Sequence, residues 1–542
     1  MKSRQVLVFL FLWVIAIAVY FKTAGAGFVT DQAGWLLQYK ASGWKGVLNA
    51  FEDKSLHYIY HLIGFLLWKL VGMNGTAWML VFTTLHAGVA FLSYRLFAEL
   101  FAAEDVRFAE GIAFTGALLF LLSPYHTEPL VWYACIHYLV CAFLLLLSFH
   151  FVLKYFSSTK GGYIAAFYAC FLPALFTLEI SFAFPIILLA FFLFWPLKVF
   201  GSVSRWQAIK IFCGPSLALL LLYFGLSKLL RGSVVGHYGA AQHLNFDITL
   251  LMANLAKYIS KLFFLSQFYS YELSQKIYVV FEKAKFGWAF FGLLGLLAGL
   301  YVALYKKLSA FWQITGLLFS FFIIGLLPVL NLYVTTLVPV EGDRFLYFAS
   351  IFAFQLVAFV CIRLPFKTGW LVMAVALFFN VRFLLVNTQS WTNNKQIQQS
   401  LIQKYKWYNA SHIYILNLPD NFRGTYMYRT FLPDNSFAET LTLYGQPDIE
   451  NKTTQILSYN MNQLSDSVTV ERISDNELKV TFAQWGNWWW AGGKGGSGYK
   501  TEMYEVKIDE WSHSYNITFA NRPANSVCVY QCGGEWREVT GF

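Results

Sequence analysis

Asp31, His126, Glu128, Glu179, Asp343 and Arg344 are the residues best suited to chemistry in a chain otherwise sparing of charge. Asp31 follows an apolar run in Phe28-Val29-Thr30-Asp31-Gln32. His126 and Glu128 share the turn Ser123-Pro124-Tyr125-His126-Thr127-Glu128-Pro129, and Glu179 interrupts apolar sequence in Thr177-Leu178-Glu179-Ile180. Val340-Glu341-Gly342-Asp343-Arg344-Phe345 sets two acids beside a cation. Any one of these reads as a solvated helix end. Ionisable groups at the margins of apolar segments are nevertheless costly to place and mark function by default. Taken together they supply carboxylates able to accept a proton and a guanidinium able to hold an anion. Lys257 and Lys261, one helical turn apart on an amphipathic stretch, are further anion-binding candidates. His57 and His61 have the same spacing, but no carboxylate lies with them in the stretch 57–72, and they read as polar facing rather than metal ligands. No cofactor is dictated by these residues; a divalent metal held by the acids is compatible with them.

The elements that must position these groups are membrane spans. Of 542 residues, 58% are hydrophobic and 13% charged, with a mean hydropathy of +0.51. A soluble chain carries about 25% charged residues. Aromatic residues reach 20%, a load that lipid-facing and interfacial positions absorb. A span needs roughly 20 apolar residues. Eleven segments qualify, near 5–21, 76–97, 108–123, 129–153, 162–178, 180–199, 207–229, 284–304, 309–332, 344–363 and 367–387. The stretch 57–72 contains two histidines and Lys69 and is read as lying along the interface. Basic residues decide that point. With 57–72 excluded, Lys2/Arg4, Arg95/Arg107, Lys154/Lys160, Lys198/Arg205/Lys210, Lys306/Lys307 and Arg363/Lys367 all fall on one side, which is cytoplasmic by the positive-inside rule. The candidate residues then share the opposite face. The first apolar run reads as an uncleaved span, because it is longer than a signal core and Lys22 precedes the small residues. The net charge of +11 is dispersed over loops, which argues against a nucleic-acid partner.

The fold expected is a polytopic α-helical membrane domain over 1–387, followed by a small, mainly β extracytoplasmic domain over 388–542. Alternation in Val468-Thr469-Val470 and in Leu478-Lys479-Val480-Thr481-Phe482 carries the β expectation. Trp485-Gly486-Asn487-Trp488-Trp489-Trp490 offers aromatic faces for a sugar or, equally, for a β core. Cys528 and Cys532 are spaced for a disulfide in an oxidising compartment, and the five other cysteines lie in apolar runs as packing residues.

At the acidic stretches the chain resembles the GT-C superfamily of membrane glycosyltransferases. The likeness is to protein O-mannosyltransferases, above all the branch that elsewhere carries tetratricopeptide repeats, and to bacterial aminoarabinose transferases. Asp31 stands in the first position of that family's external-loop acid pair, with Gln32 in place of the second acid. Ser123–Glu128 is similar to the His-x-Glu turn of the branch, and Leu175–Pro185 to its Lys-Glu turn, with Leu178 for the Lys and Glu179 kept. Gly342–Ser350 resembles the Glu-Arg-Tyr-Leu-Tyr element, with Asp343 for the acid and Arg344 kept. The resemblance implies transfer of a sugar from a polyprenyl-phosphate donor to a hydroxyl of an acceptor protein, lipid or glycan. Asp31 would be the base of an inverting displacement, Arg344 the phosphate clamp, and His126, Glu128, Glu179, Asp343, Lys257 and Lys261 substrate-binding residues. A bacterial inner membrane is the expected location. The rival readings are a transporter or flippase, and a polymerase or ligase joining glycans from a polyprenyl carrier. A transporter would place its ionisable groups at mid-span and show inverted repeats, neither of which the sequence contains.

Overall fold

A computed structural model describes all of the chain except residues 1, 50–55, 233, 235–246, 333–339, 341, 362, 429–435, 448, 483–487, 491–497 and 509–513. In chain order its helices are α1 (Lys2–Tyr20), α2 (Asp31–Ser42), α3 (Trp44–Asn49), α4 (Tyr58–Val71), α5 (Gly75–Ala103), α6 (Ala109–Leu121), α7 (Thr127–Val131), α8 (Ile136–Ser158), α9 (Gly161–Leu175) and α10 (Phe184–Phe194). There follow α11 (Arg205–Ala208), α12 (Gly214–Arg231), α13 (Ile248–Phe264), α14 (Tyr271–Phe281), α15 (Ala284–Leu304), α16 (Ala310–Leu326), α17 (Leu346–Cys361), α18 (Phe366–Gln403) and α19 (Ser436–Leu443).

The chain is a helical membrane protein with a C-terminal β domain. Among the described residues, eight helical segments are long and apolar enough to cross a bilayer, and each corresponds to an expected span. Their apolar side chains are turned outward in a way water would not tolerate: Leu221, Leu229 and Leu296 are 69%, 81% and 60% exposed. The other three expected spans are the shorter apolar helices Ala109–Leu121, Gly161–Leu175 and Glu179–Phe194. A rise of about 1.5 Å per residue keeps them below the roughly 30 Å hydrocarbon thickness. Pro173 sits inside α9, and a 3₁₀ turn at Glu179–Ala183 separates α9 from α10. The stretch read as interfacial is α4, whose inner face buries Tyr60, His61, Gly64 and Phe65.

Inside the bundle the packing is aromatic. Phe97, Phe101, Phe321, Phe352 and Phe359 fill the space among α5, α16 and α17, with Phe101 and Phe359 stacked at 5.0 Å. At 38 residues α18 is about 57 Å long by the same rise, too long to end at the bilayer surface. Its first two-thirds or so give Met373, Leu384 and Trp391 to the membrane core, and its last turns give Ile397, Leu401 and Ile402 to the core of the β domain. The polar sequence after residue 387 therefore continues as helix before the strands begin.

The β domain has strands β1 (His412–Ile415), β2 (Leu418–Phe422), β3 (Thr425–Tyr426), β4 (Thr453–Gln455), β5 (Leu457–Met461), β6 (Val468–Arg472), β7 (Glu477–Phe482), β8 (Trp488–Trp490), β9 (Gly498–Lys500), β10 (Tyr504–Ile508), β11 (Ser514–Phe519), β12 (Ser526–Cys532) and β13 (Glu535–Glu538). The two alternating stretches are β6 and β7, paired antiparallel within the sheet β6-β7-β11-β10-β9. Two smaller sheets run β13-β12-β1-β4 and β3-β2-β5-β8. In these β1 is parallel to β4 and β12, and β2 is parallel to β5. Parallel pairing requires a crossover, and α19 lies in the chain between β3 and β4. Trp488–Trp490 forms β8 against β5, while Trp485, Gly486 and Asn487 lie outside the described residues.

The expected disulfide is corrected. Cys528 and Cys532 are both free and lie on one strand, β12. Four residues of extended chain separate their Cα atoms by about 13 Å, well beyond the roughly 7 Å limit of a disulfide.

Candidate active site

The site begins where the first loop meets the bundle. Gly27 has no Cβ to spare: one there would lie 1.9 Å from the carbonyl oxygen of Val131 and 2.7 Å from the ring of Tyr133. That close approach lets the carbonyl of Gly27 accept from the Tyr133 N–H at 3.2 Å and fixes the loop beside Trp132 and Tyr133. Three residues on, Thr30 has φ 51°, a conformation a β-branched residue adopts only under constraint. Its N–H donates to the carbonyl of Met427 in the β domain at 3.2 Å. Asp31 then opens α2 with an exposed carboxylate. Below it Tyr60 packs against Trp35, His61 and His137 at ring separations of 4.9, 4.7 and 4.6 Å. Burial above all, with the nearby Tyr39, Cys135 and Asp31, holds the Tyr60 phenol well above its usual range.

Glu128, on the short helix α7, is fully buried. One carboxylate oxygen accepts from the backbone N–H of Arg344 at 2.7 Å, and the other pairs with the Arg344 guanidinium. Gly342 makes this arrangement possible: at φ +82° it turns the chain into the 3₁₀ segment Asp343–Phe345, aiming the Arg344 N–H at α7. The guanidinium carbon lies 5.3 Å from the ring centre of Trp132 and 4.6 Å from that of Phe345. Asp343, also fully buried, pairs with Lys261 Nζ at 2.6 Å and accepts from Gln267 Nε2 at 3.1 Å. Burial opposes the charge on Lys261; Asp343 outweighs it, holding the ammonium above its ordinary value. One turn earlier on α13, Lys257 Nζ meets Glu282 Oε1 at 2.7 Å. Two buried cation–carboxylate pairs, Arg344–Glu128 and Lys261–Asp343, thus stand side by side in a low-dielectric setting, where charge-assisted hydrogen bonds are strong.

His126 is buried behind this cluster. Its Nε2 lies 2.9 Å from Ser350 Oγ, and that hydroxyl donates to the carbonyl of Tyr347, so the imidazole N–H donates to Ser350. Burial first, then neighbouring His86, lowers the His126 pKa well below the ordinary value, so the ring is neutral. His126 is thus a brace between the α7 turn and α17 rather than a surface acid or base. Asn387 of α18 ties the same turn by donating to the carbonyl of Pro124 at 3.0 Å.

Glu179 is set apart. Its carboxylate meets His57 Nε2 at 3.0 Å, so the histidine at the start of α4 does have an acid partner, one remote in sequence. His61 is bound at Nδ1 to the Tyr39 hydroxyl at 3.0 Å. Among the described residues no cluster of three or more His, Cys, Asp or Glu side chains is arranged to hold a metal. Glu341 lies outside the described residues.

The structure therefore gathers Glu128, Asp343, Arg344, Lys261 and, beside them, His126 and Lys257. It brings Asp31 to the same loop–bundle junction, and it places Glu179 with His57. Sequence reasoning missed Trp132, Tyr258 and Gln267. The indole N–H of Trp132 and the hydroxyl of Tyr258 are buried at the cluster without a hydrogen-bond partner among the described residues, as is the Thr30 hydroxyl. Such groups cost stability unless something occupies them, and here they flank the cations. Comparison with models of known protein families and with curated proteins finds no match to the chain.

Proposed function

We propose that the chain is a glycosyltransferase that moves a sugar from a polyprenyl-phosphate donor to an acceptor hydroxyl on the extracytoplasmic face. The observation that carries this reading is the buried cation cluster, Arg344 and Lys261, with the loop that leads into Asp31 anchored at Val131 and Tyr133, on either side of Trp132, whose ring Arg344 packs over. Inverting transfer needs both a cation and a carboxylate. The acceptor O–H gives its proton to the Asp31 carboxylate as its oxygen bonds the anomeric carbon. The bond from that carbon to the phosphate oxygen breaks, and polyprenyl phosphate departs with the electron pair. Arg344 carries a guanidinium, which matches phosphate geometry bidentately. Glu128 and Asp343 hold the two cations in place before the charge of the leaving group develops, which is electrostatic preorganisation. The orphaned Trp132 N–H and Tyr258 hydroxyl are donors for sugar or phosphate oxygens, and Glu179 with His57 orients the acceptor side.

Eleven spans belong to this reading, with the three short helices crossing a locally thinned bilayer, α4 interfacial, the N-terminus cytoplasmic and the β domain outside. A lipid-borne donor must enter from the bilayer, which explains a site at span ends. A bacterial inner membrane fits, as does any acceptor class of protein, lipid or glycan. The test separates binding from chemistry. Purified protein in lipid bilayers is titrated with polyprenyl phosphate, the product. Arg344→Gln should weaken that binding at least tenfold and Asp31→Asn should leave it within threefold; equal affinity in both variants would remove Arg344 from the clamp.

A further inference from the structure

At the other end of α17, about 24 Å along the helix from Arg344 by its rise per residue, α15, α16 and α17 enclose a groove of about 380 Å³. Tyr301, Trp312, Thr315, Phe319, Leu356 and Val360 line it, and its surface is almost wholly apolar. Gly316 creates the recess: a Cβ there would lie 2.4 Å from the Tyr301 ring, which instead lies flat across α16 with its hydroxyl donating to the carbonyl of Gln313 at 2.7 Å. One polar atom in the lining is left over, the buried Thr315 hydroxyl, which has no hydrogen-bond partner among the described residues.

The rim is of one sign. Lys306 and Lys307 form the turn between α15 and α16, and Arg363 and Lys367 follow α17; all four are exposed. None of them forms an ion pair among the described residues. Arg363 instead lies 4.4 Å over the ring of Phe311, next to Trp312, which is 58% exposed at the groove's edge. The sequence carries no Asp or Glu from 301 to 332 or from 345 to 419. The neighbouring α5–α6 link carries two acids: Asp105 is taken by Lys198 at 2.5 Å, and Glu104, near Tyr305, faces Lys198 and the backbone N–H of Val199.

An apolar slot opening toward lipid and ending at unpaired cations is complementary to a molecule with an alkyl chain and an anionic head. We propose that this groove is a binding site for one anionic phospholipid, its acyl chain against Tyr301, Phe319 and Leu356 and its phosphate among Lys306, Lys307 and Arg363. A helix of a partner protein would fill the slot without matching four cations, and free phosphate would match the cations without filling the slot. This site is distinct from the one at Arg344 and does not rest on the transferase reading.

The test is native mass spectrometry of the full chain in detergent with equimolar phosphatidylglycerol and phosphatidylcholine of identical acyl chains. Wild type should retain phosphatidylglycerol in preference, and Lys306→Gln/Lys307→Gln/Arg363→Gln should lose that preference at roughly fivefold per cation. Val360→Trp, at the exposed rim, should lose both lipids with the charges intact; a monodisperse elution profile checks its fold. Equal retention of the two lipids by wild type would overturn the headgroup assignment. Unchanged retention by Val360→Trp would overturn the groove. Displacement of the lipid by millimolar inorganic phosphate would make this an anion site rather than a lipid site.

Discussion

Glu128 is the residue whose removal should reveal most about how the site is held. It is fully buried, and both its oxygens engage Arg344, one through the backbone N–H at 2.7 Å and one through the side chain. Taking away one member of such a pair leaves a buried charge and a buried N–H without compensation, a loss of about 3–5 kcal/mol. Replacing both charges with apolar groups of similar size removes the uncompensated charge as well and should cost far less. Glu128→Leu and Arg344→Met should therefore each destabilise by about 3 kcal/mol or more, and the double variant by less than either single. The coupling energy should therefore exceed about 3 kcal/mol by the same accounting. The assay is reversible unfolding in mixed detergent micelles followed by tryptophan emission, with Lys154–Glu99 as the comparison. Those side chains are 32% and 31% exposed at 3.4 Å, so their coupling should stay below about 1 kcal/mol. A Glu128–Arg344 coupling no larger than that of the partly exposed pair would refute the buried, preorganised site.

Other outcomes follow from the same geometry. Gly27→Ala forces a Cβ onto the Val131 carbonyl at 1.9 Å, and should destabilise by about 1–3 kcal/mol in the same unfolding assay, as overpacking does. Asn394 donates to the carbonyls of Thr425 and Tyr426 at 2.7 and 2.6 Å, so Asn394→Ala should cost about 1–3 kcal/mol and speed proteolysis between α18 and β1. The chain has seven cysteines and all are free. Thiol titration of denatured, unreduced protein should find seven thiols; five would restore the Cys528–Cys532 bridge.

What was legible in the sequence follows from what is local. Long spans announce themselves because lipid demands a continuous apolar run, and eight of the eleven expected ones are helices of sufficient length among the described residues. Glu179 marks the break before α10 through a single charge in apolar sequence. The histidines of α4 were legible as polar positions in an apolar stretch, but their burial was not, since Glu179 and Tyr39 that receive them come from other elements. Glu128 and Arg344 were legible as candidates, yet their pairing spans 216 residues and no local rule gives it. It also changes the reading of Arg344 from an open cation to one held by a carboxylate. Cys528 and Cys532 misled because spacing alone does not reveal that both lie on one strand. The parallel pairing of β1 with β12 is similarly hidden, because short strands carry no record of their partners.

Release of free polyprenyl phosphate from a labelled polyprenyl-phosphate sugar, by purified protein in lipid bilayers, tests the central claim most directly. A panel of donor sugars and of hydroxyl-bearing acceptors is supplied. The account predicts acceptor-dependent release by wild type with inversion at the anomeric carbon, and a loss of at least a thousandfold in Asp31→Asn while that variant still binds polyprenyl phosphate. Release at the wild-type rate by Asp31→Asn would contradict the assignment of the base, and no release from any donor would contradict the transferase.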